Sequence, residues 1–438
     1  MNPTLLTTVL ISSFVVFAKA TPTIPLPAIP DRVMDITSYG ATPDVSTPST
    51  QAIQQAIAAA SQAGGGRVVI PAGKFLSGPL TLASNIDLHL AKGATLSMST
   101  DPADFPVLNA RRASFITALK AHDVRLSGEG TIDGQGESWW KVFLAEKAQG
   151  IKTAPRRPQL IFLEKCERVE LDGITTLNPP NTHYSLKNCK DVTIHGITAT
   201  APDDSPNTDA LNLSIAKNVL ITDCQISTGD DNIVLLCGGD GNPAAPQVEN
   251  VTIRDCKLGF GHGLSIGSYT SGGVKNVTAE NITFDGTTSG LRLKAGRDRG
   301  GLVEGIRYKN ITMKNVRYPI FITSYYPKPP AGPAMDLPAK DASKPPVWRD
   351  ISIENVTITD SKNSIVVWGL PDQPVTGVTF KNIKATTLAG ARIFHAKNVV
   401  FSDVAITPAA GPVLETFDAA VSGMEGVTIP AGTLVKFK

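Results

Sequence analysis

Four short clusters in this chain hold the side chains best suited to acid–base chemistry. They are Ser205-Pro206-Asn207-Thr208-Asp209, Gly229-Asp230-Asp231-Asn232, Gly261-His262-Gly263 and Leu291-Arg292-Leu293-Lys294. Together they supply three carboxylates, one imidazole and two cations. Carboxylates held close together push at least one pKa up, so one acid stays protonated while its neighbours ionise. Hydrolysis of a glycosidic bond needs that division: one acid protonates the leaving oxygen, and an opposed carboxylate activates water. Arg292 and Lys294 alternate by two, so on a strand they share a face. They could hold a sugar carboxylate, the Arg fork being suited to bidentate pairing.

The clusters must be brought together by whatever the rest of the chain builds. A phrase of the form Lys/Glu-Asn/Asp-Val-x-Ile-x-x-x-x-Ile recurs, as in Asp191-Val192-Thr193-Ile194, Asn218-Val219-Leu220-Ile221 and Asn250-Val251-Thr252-Ile253. Its first aliphatic falls at 124, 169, 192, 219, 251, 277, 306, 351, 378 and 399. Most steps are in the twenties, and two of 45 hold either a double step or a long insertion. Within the phrase the aliphatics alternate and are mostly β-branched, a strand signal. A shift of one residue, as between Ile253 and Cys256, suits a bend between two short strands. Short strands recurring every twenty-odd residues without helices between them imply an all-β solenoid, a right-handed parallel β-helix. A propeller would need blades of about 40–50 residues. Coils stack about 4.8 Å apart, and Asp230 follows Asp209 by 21 residues, about one coil, so the two should be near neighbours. Adjacent strand residues face opposite ways, so Asp230 and Asp231 can line one groove only if the chain turns, which Gly229 would allow.

A solenoid needs closed ends. Ser49 or Thr50 can start a helix running to about Ala63, with Ile53 and Ile57 on one face and Gly64-Gly65-Gly66 ending it. This N-terminal capping helix should plug the stack. The C-terminal stretch from Pro408 keeps strand-like pieces without a good repeat. The segments Trp139 to Arg157 and Tyr325 to Pro346, the latter rich in proline, read as walls of a groove. No composition shift marks a second domain, so residues 21–438 form one catalytic unit.

Cys166 and Cys189 each lie three residues before the phrase aliphatic, and Cys224 and Cys256 each five after it. These should form two interior thiol stacks, since parallel stacked Cβ vectors suit a disulfide poorly; Cys237 has no counterpart. The Asn-x-Ser/Thr triplets at Asn212, Asn250, Asn276, Asn281, Asn310 and Asn355 come mostly from the repeat and suggest stacked amides at a turn rather than glycosylation.

Composition excludes several classes. The 438 residues carry 41 Lys+Arg against 39 Asp+Glu, which gives no global argument for nucleic acid. With 42% apolar and 18% charged residues, the chain is not a disordered one. The only long apolar run, Leu5 to Ala18, is short for a membrane span and precedes Ala18-Lys19-Ala20. A signal peptide at residues 1–20 and a secreted or periplasmic product follow, with no membrane attachment after cleavage. No phosphate loop, nucleotide motif or metal site is evident, so no cofactor is expected, and the protein should act as a monomer.

The clusters Asn207-Thr208-Asp209, Gly229-Asp230-Asp231, Gly261-His262-Gly263 and Arg292-Leu293-Lys294 resemble the four signatures of glycoside hydrolase family 28, the polygalacturonases. Order and spacing match, and Ile132-Asp133-Gly134-Gln135-Gly136 with Trp139-Trp140, and Ser38-Tyr39-Gly40-Ala41, extend the similarity over nearly the whole mature chain. The resemblance implies hydrolysis of α-1,4-galacturonosidic bonds in pectic polysaccharide with inversion. It makes Asp230 the general acid and Asp209 and Asp231 the groups that activate water. It gives His262 the task of keeping Asp230 protonated, and sets Arg292, Lys294, Asn207 and Tyr326 on the substrate. Tyr325 is adjacent, so the tyrosine assignment is open. This chain departs from the pattern at Ala210-Leu211-Asn212, at Leu293, and at Asn232, where fungal members have a disulfide cysteine. Rival readings are a calcium-dependent pectate lyase, an exo-acting or branched-pectin hydrolase (rhamnogalacturonan or xylogalacturonan), and a non-catalytic β-helical glycan-binding protein. A pure binder of anionic sugar would gain nothing from three aspartates.

Overall fold

The structure, a computed structural model, describes residues 23–238, 247–336, 338, 343–423, 427–428 and 436–437. The expected signal peptide therefore lies outside the described residues. Apart from one short antiparallel pair, the strands run parallel, each paired with strands one coil before and after. The chain is a parallel β-helix.

Strand register shows what the repeated phrase encodes. Val124, Val169, Val192, Val219, Val251, Val277, Ile306, Ile351 and Val378 are successive rungs of one ladder. Two residues on, Leu126, Leu171, Ile194, Ile221 and Ile253 form a second inward file, fully buried. Each such side chain taken from water contributes roughly 1.5–3 kcal/mol, so the core grows with every coil added. Both steps of 45 residues are single coils with insertions, because Val124 pairs directly with Val169 and Ile306 with Ile351. The ladder also extends upstream through Ile86, which follows a left-handed Asn85 as in the phrase, to Gly66, which does not carry it.

The recurring Asn or Asp marks a corner. Asn218, Asn250 and Asn276 have φ of 55°, 58° and 55°, and Asn281, Asn310 and Asn355 of 56°, 57° and 56°. Among residues with a side chain, Asn and Asp enter this left-handed region most readily. Their amides then bond from coil to coil. Asn250 Nδ2 donates to Asn218 Oδ1 at 3.1 Å and Asn276 Nδ2 to Asn250 Oδ1 at 3.2 Å. A second file runs from Asn281 through Asn310 and Asn355 to Asn382. Five of the six glycosylation-type triplets are thus corner ladders, while Asn212 sits on a strand. Four thiols are stacked as well: register aligns Cys166 with Cys189 and Cys224 with Cys256, and all five cysteines are buried.

Helix α1 (Thr50–Gln62) turns Ala52, Ile53, Ala56, Ile57 and Ala60 inward against the first strands. Ser49 occupies its N-cap without a side-chain cap bond; its hydroxyl instead donates to the Thr42 carbonyl. Helix α2 (Glu137–Ala148), which the sequence pattern did not reveal, lies in the first long insertion with Trp139 and Trp140 buried. Trp140 Nε1 donates to the Pro179 carbonyl at 3.0 Å, fixing α2 beside the coil that precedes Asp209. No helix among the described residues is long and apolar enough to cross a membrane.

Four successive strands on one face of the coil carry the clusters: β1 (Leu211–Thr222), β2 (Ile233–Leu236), β3 (Leu264–Ile266) and β4 (Ser289–Lys294). Leu211, Ile233, Leu264 and Leu291 are consecutive rungs there.

Candidate active site

Asp209 lies two residues before Leu211, Asp231 two before Ile233, and His262 two before Leu264. They therefore occupy one register position on three adjacent coils, at the mouth of β1, β2 and β3. The rung partner of Asp209 is Asp231, 22 residues on, and Asp230 aligns with Thr208, one position away. The ladder confirms it, since the Ala210 N–H donates to the Asp231 carbonyl at 3.0 Å.

The paired aspartates do line one groove because the chain turns between them. The Asp231 N–H donates to Asp230 Oδ1 at 2.9 Å, closing a tight local turn. Gly229 serves this turn by close approach. A Cβ there would stand 2.2 Å from the Ser205 carbonyl oxygen and 2.8 Å from that of Pro202. Its N–H donates to Thr208 Oγ1 at 3.0 Å, so the loops carrying Asp209 and Asp230 are tied together.

Asp231 is the hub. Its Oδ1 accepts from Ser265 Oγ at 2.7 Å and its Oδ2 from Lys294 Nζ at 2.7 Å, while Arg292 Nη1 stands 3.6 Å from Oδ1. Ser265 and Arg292 are neighbouring rungs of β3 and β4, which explains why both reach the same carboxylate. Lys294 is not a solvated surface charge: its side chain is 5% exposed and that of Asp231 7%. Arg292, at 17%, is the more available cation.

His262 Nδ1 lies 3.0 Å from Asp230 Oδ1 and 3.9 Å from Asp231 Oδ1. Burial acts to raise the Asp230 carboxyl, but the His262 hydrogen bond and the His262 and Lys294 charges outweigh it and leave the carboxyl below its ordinary value. His262 does not by itself hold Asp230 protonated, as the sequence suggested, because a donating N–H favours the carboxylate. The 3.0 Å contact admits the proton on either atom. With Nδ1 donating, Asp230 is ionised; with Nδ1 accepting, Asp230 is the acid. Asp209 behaves oppositely. Burial first, and then the Asp230 and Asp231 charges, push it well above the ordinary carboxylate range, although Thr182 Oγ1 donates to its Oδ2 at 3.3 Å.

The remaining expected residues also gather here. Asn207 Nδ2 approaches Asp230 Oδ2 at 3.5 Å, and its own Oδ1 accepts from Arg157 Nη2 at 2.8 Å. Lys294 Nζ stands 5.6 Å from the centroid of the Tyr326 ring, whereas Tyr325 makes an edge contact with Trp368. Of the two tyrosines, Tyr326 is the one whose ring lies beside Lys294. Sequence reasoning missed Arg157, Thr182 and Ser265. Ser265 had a usable signal, two positions after Gly263 in the alternating run of β3, but nothing near Arg157 pointed to Asn207, 50 residues away.

Asp230, Asp231 and His262 also offer three donor atoms within 4.8 Å of one another, the spacing of a metal site. The donor set fits a cation poorly, because Asp231 already takes an ammonium and faces a guanidinium that would repel it. Beside the site, next to α2 and the Pro202–Pro206 loop, lies a cavity of about 750 Å³ lined by Gln135, Trp140, Lys141 and Ser205 among others. Its lining reaches Pro206, the residue before Asn207.

The chain matches the family model for glycosyl hydrolases family 28 over residues 61–430. An endo-polygalacturonase of Pectobacterium carotovorum subsp. carotovorum is 34% identical over 363 residues, covering 78% of this chain and 85% of the relative. An exopolygalacturonase of Zea mays is 31% identical over 364 residues, covering 81% and 83%. Among solved structures, the polygalacturonase from Erwinia carotovora ssp. carotovora superposes with a TM-score of 0.74 at 31% identity, covering 87% of this chain and all of that one.

Proposed function

Because the chain belongs to glycosyl hydrolases family 28 and is a glycoside hydrolase, we propose that it cleaves α-1,4-galacturonosidic bonds of polygalacturonan with inversion at the anomeric carbon. The observation that carries this is the arrangement at the mouth of β1 to β3: an Asp230–His262 pair in contact at 3.0 Å beside two further carboxylates on one rung. Asp230 passes its proton to the glycosidic oxygen as the bond to the anomeric carbon breaks. Asp209 and Asp231 hold the attacking water on the other face of the sugar and take its proton. Arg292, with Lys294 behind it and Tyr326 alongside, holds the galacturonate carboxylate next to the scissile bond. The enzyme works outside the cytoplasm once its leader is removed behind Ala20, and as a monomer.

The first test follows new reducing ends and ultraviolet absorbance together on de-esterified polygalacturonate with EDTA present. Reducing ends without unsaturated product support hydrolysis, and product sizes separate internal from terminal cleavage. Unsaturated product would mean elimination and overturn the mechanism. Anomeric configuration of the first product, read by proton NMR, decides inversion.

The raised Asp209 carboxyl favours an exchange of roles, with Asp209 as acid and Asp230 as base. An activated aryl galacturonide separates the two. Its leaving group needs no proton, so the variant lacking the acid keeps most of its activity on it, while the variant lacking the base does not. Asp230→Asn should be the tolerant variant if Asp230 is the acid, and Asp209→Asn if the roles are exchanged.

A further inference from the structure

We propose that Asn232 is a positioning residue that sets His262 against Asp230; this rests on the function assigned to His262 above. Asn232 follows the paired aspartates directly and is fully buried. Its side chain spans to the next coil, where both of its ends are used. Nδ2 donates to the Phe260 carbonyl at 3.0 Å, and Oδ1 accepts from the Gly263 N–H at 2.7 Å. These two bonds grip the backbone on either side of His262.

The turn is also tied by backbone bonds, from the Thr228 N–H to the Phe260 carbonyl at 3.1 Å, the Thr288 N–H to that of Gly261 at 2.7 Å and the Ile233 N–H to that of Gly263 at 3.2 Å, but Asn232 is the side chain that holds both flanks of His262 at once. Gly261 and Gly263 have φ of 123° and 71°, a region where side chains are strained, so the two residues flanking His262 contribute no packing of their own. Neither can be replaced easily. A Cβ on Gly261 would lie 2.7 Å from the Asp230 carbonyl oxygen, and one on Gly263 would lie 2.0 Å from that of Ser289. The His262 N–H adds a tie of its own, to the Asp230 carbonyl at 2.9 Å. With the loop so fixed, Nδ1 sits 3.0 Å from the Asp230 carboxylate. Without the amide, a turn built on two glycines gains backbone freedom, and the contact between His262 and Asp230 loosens. A misplacement of about 1 Å at such a contact can cost around a hundredfold in rate.

Asn232→Ala, Asn232→Asp, His262→Ala and the double variant Asn232→Ala/His262→Ala test this on polygalacturonate, with thermal melting run in parallel. Asn232→Ala should lower kcat at least tenfold with KM within about twofold. In the His262→Ala background the same change should cost nothing further, because the residue it positions is gone. Asn232→Asp supplies a readout that a merely structural role would not move. As the neutral acid it reproduces both bonds, so its activity relative to wild type should rise as pH falls, whereas that of Asn232→Ala should not. Should Asn232→Ala fail to fold, this pH dependence decides alone. Wild-type kcat in folded Asn232→Ala, additive losses in the double variant, or a flat ratio for Asn232→Asp would each overturn the proposal. Full activity in His262→Ala would instead remove the role given to His262, a separately visible failure.

Discussion

Replacing Lys294 by methionine keeps the length of the side chain and removes its charge, which isolates the pair it makes with Asp231. The two atoms are 2.7 Å apart, and the side chains are 5% and 7% exposed. Removing one partner of a buried pair typically costs about 3–5 kcal/mol, mostly because the other charge is left uncompensated. Here Ser265 still bonds Oδ1 at 2.7 Å and Arg292 stands 3.6 Å away, so the loss should fall near or below the low end, about 2–3 kcal/mol. A chain of 438 residues unfolds with an entropy of roughly 0.9 kcal/mol per kelvin, which turns that loss into a Tm lower by about 3 °C. The decisive comparison adds Asp231→Asn. With no stranded carboxylate, Lys294→Met should cost almost nothing in that background, giving a coupling energy of about 2 kcal/mol. Turnover should stay low in both, because Asp231 loses its orientation in the one and its carboxylate in the other. Differential scanning calorimetry gives the stabilities, and reducing-end assays give kcat and KM. A Lys294→Met protein that melts with wild type, or losses that simply add in the double variant, would refute the view of Lys294 as the partner that holds Asp231. Its role would then shrink to substrate contact, with KM alone affected.

The raised carboxyl of Asp209 has a signed consequence for pH dependence. As a base it must be ionised, so kcat/KM should fall as pH drops through a pKa above the ordinary 3.8 of an aspartate, giving an acid limb displaced toward neutrality. If Asp209 is the acid, the same pKa becomes the alkaline limb, and activity should persist below it. Arg292→Met should raise KM for polygalacturonate at least tenfold with a Tm close to wild type, since Arg292 is the more exposed cation and is not the main partner of Asp231. Gly267→Ala should depress kcat, because a Cβ there would stand 1.8 Å from the Lys294 carbonyl and must displace β4; unchanged kinetics would show that β4 yields without moving Lys294. All five cysteines should resist a thiol reagent until the protein is denatured, and reductant should leave Tm unchanged.

Much of the coil was legible because one physical requirement repeats. The corner needs a left-handed residue, which selects Asn, Asp or Gly, and the following strand needs alternate β-branched residues inward. The phrase combines the two, so the positions it marked from Val124 to Val378 are the ladder rungs in register. The coil at Gly66 escaped because Gly65 turns its corner outside the phrase, and the coil at Ile86 because Asn85-Ile86-Asp87-Leu88 keeps the corner Asn and alternating aliphatics but has Ser84 where the phrase has Lys or Glu. Helix α2 escaped for another reason. It buries Trp139 and Trp140 but leaves Val142 and Leu144 exposed, so no apolar stripe of helical period announces it.

The site was legible to the extent that its parts share a rung. Asp209, Asp231 and His262 recur at one position of the coil, and a period read from sequence brings such residues together whatever their separation along the chain. The hydrogen bonds that set their chemistry run across that period. Ser265 and Lys294 reach Asp231 over 34 and 63 residues, from strands where they point outward like any other polar residue. Their meaning depends on the turn at Gly229, which aims Asp231 along the groove toward β3 and β4. A solenoid thus separates two problems. Its repeat supplies proximity, and a single irregular turn supplies direction. The different partners of the paired aspartates follow from the second, since it is direction that gives Asp231 the ammonium and Asp230 the imidazole. Substitutions that preserve the coil but straighten the Gly229 turn should therefore abolish activity while leaving the stack of rungs intact.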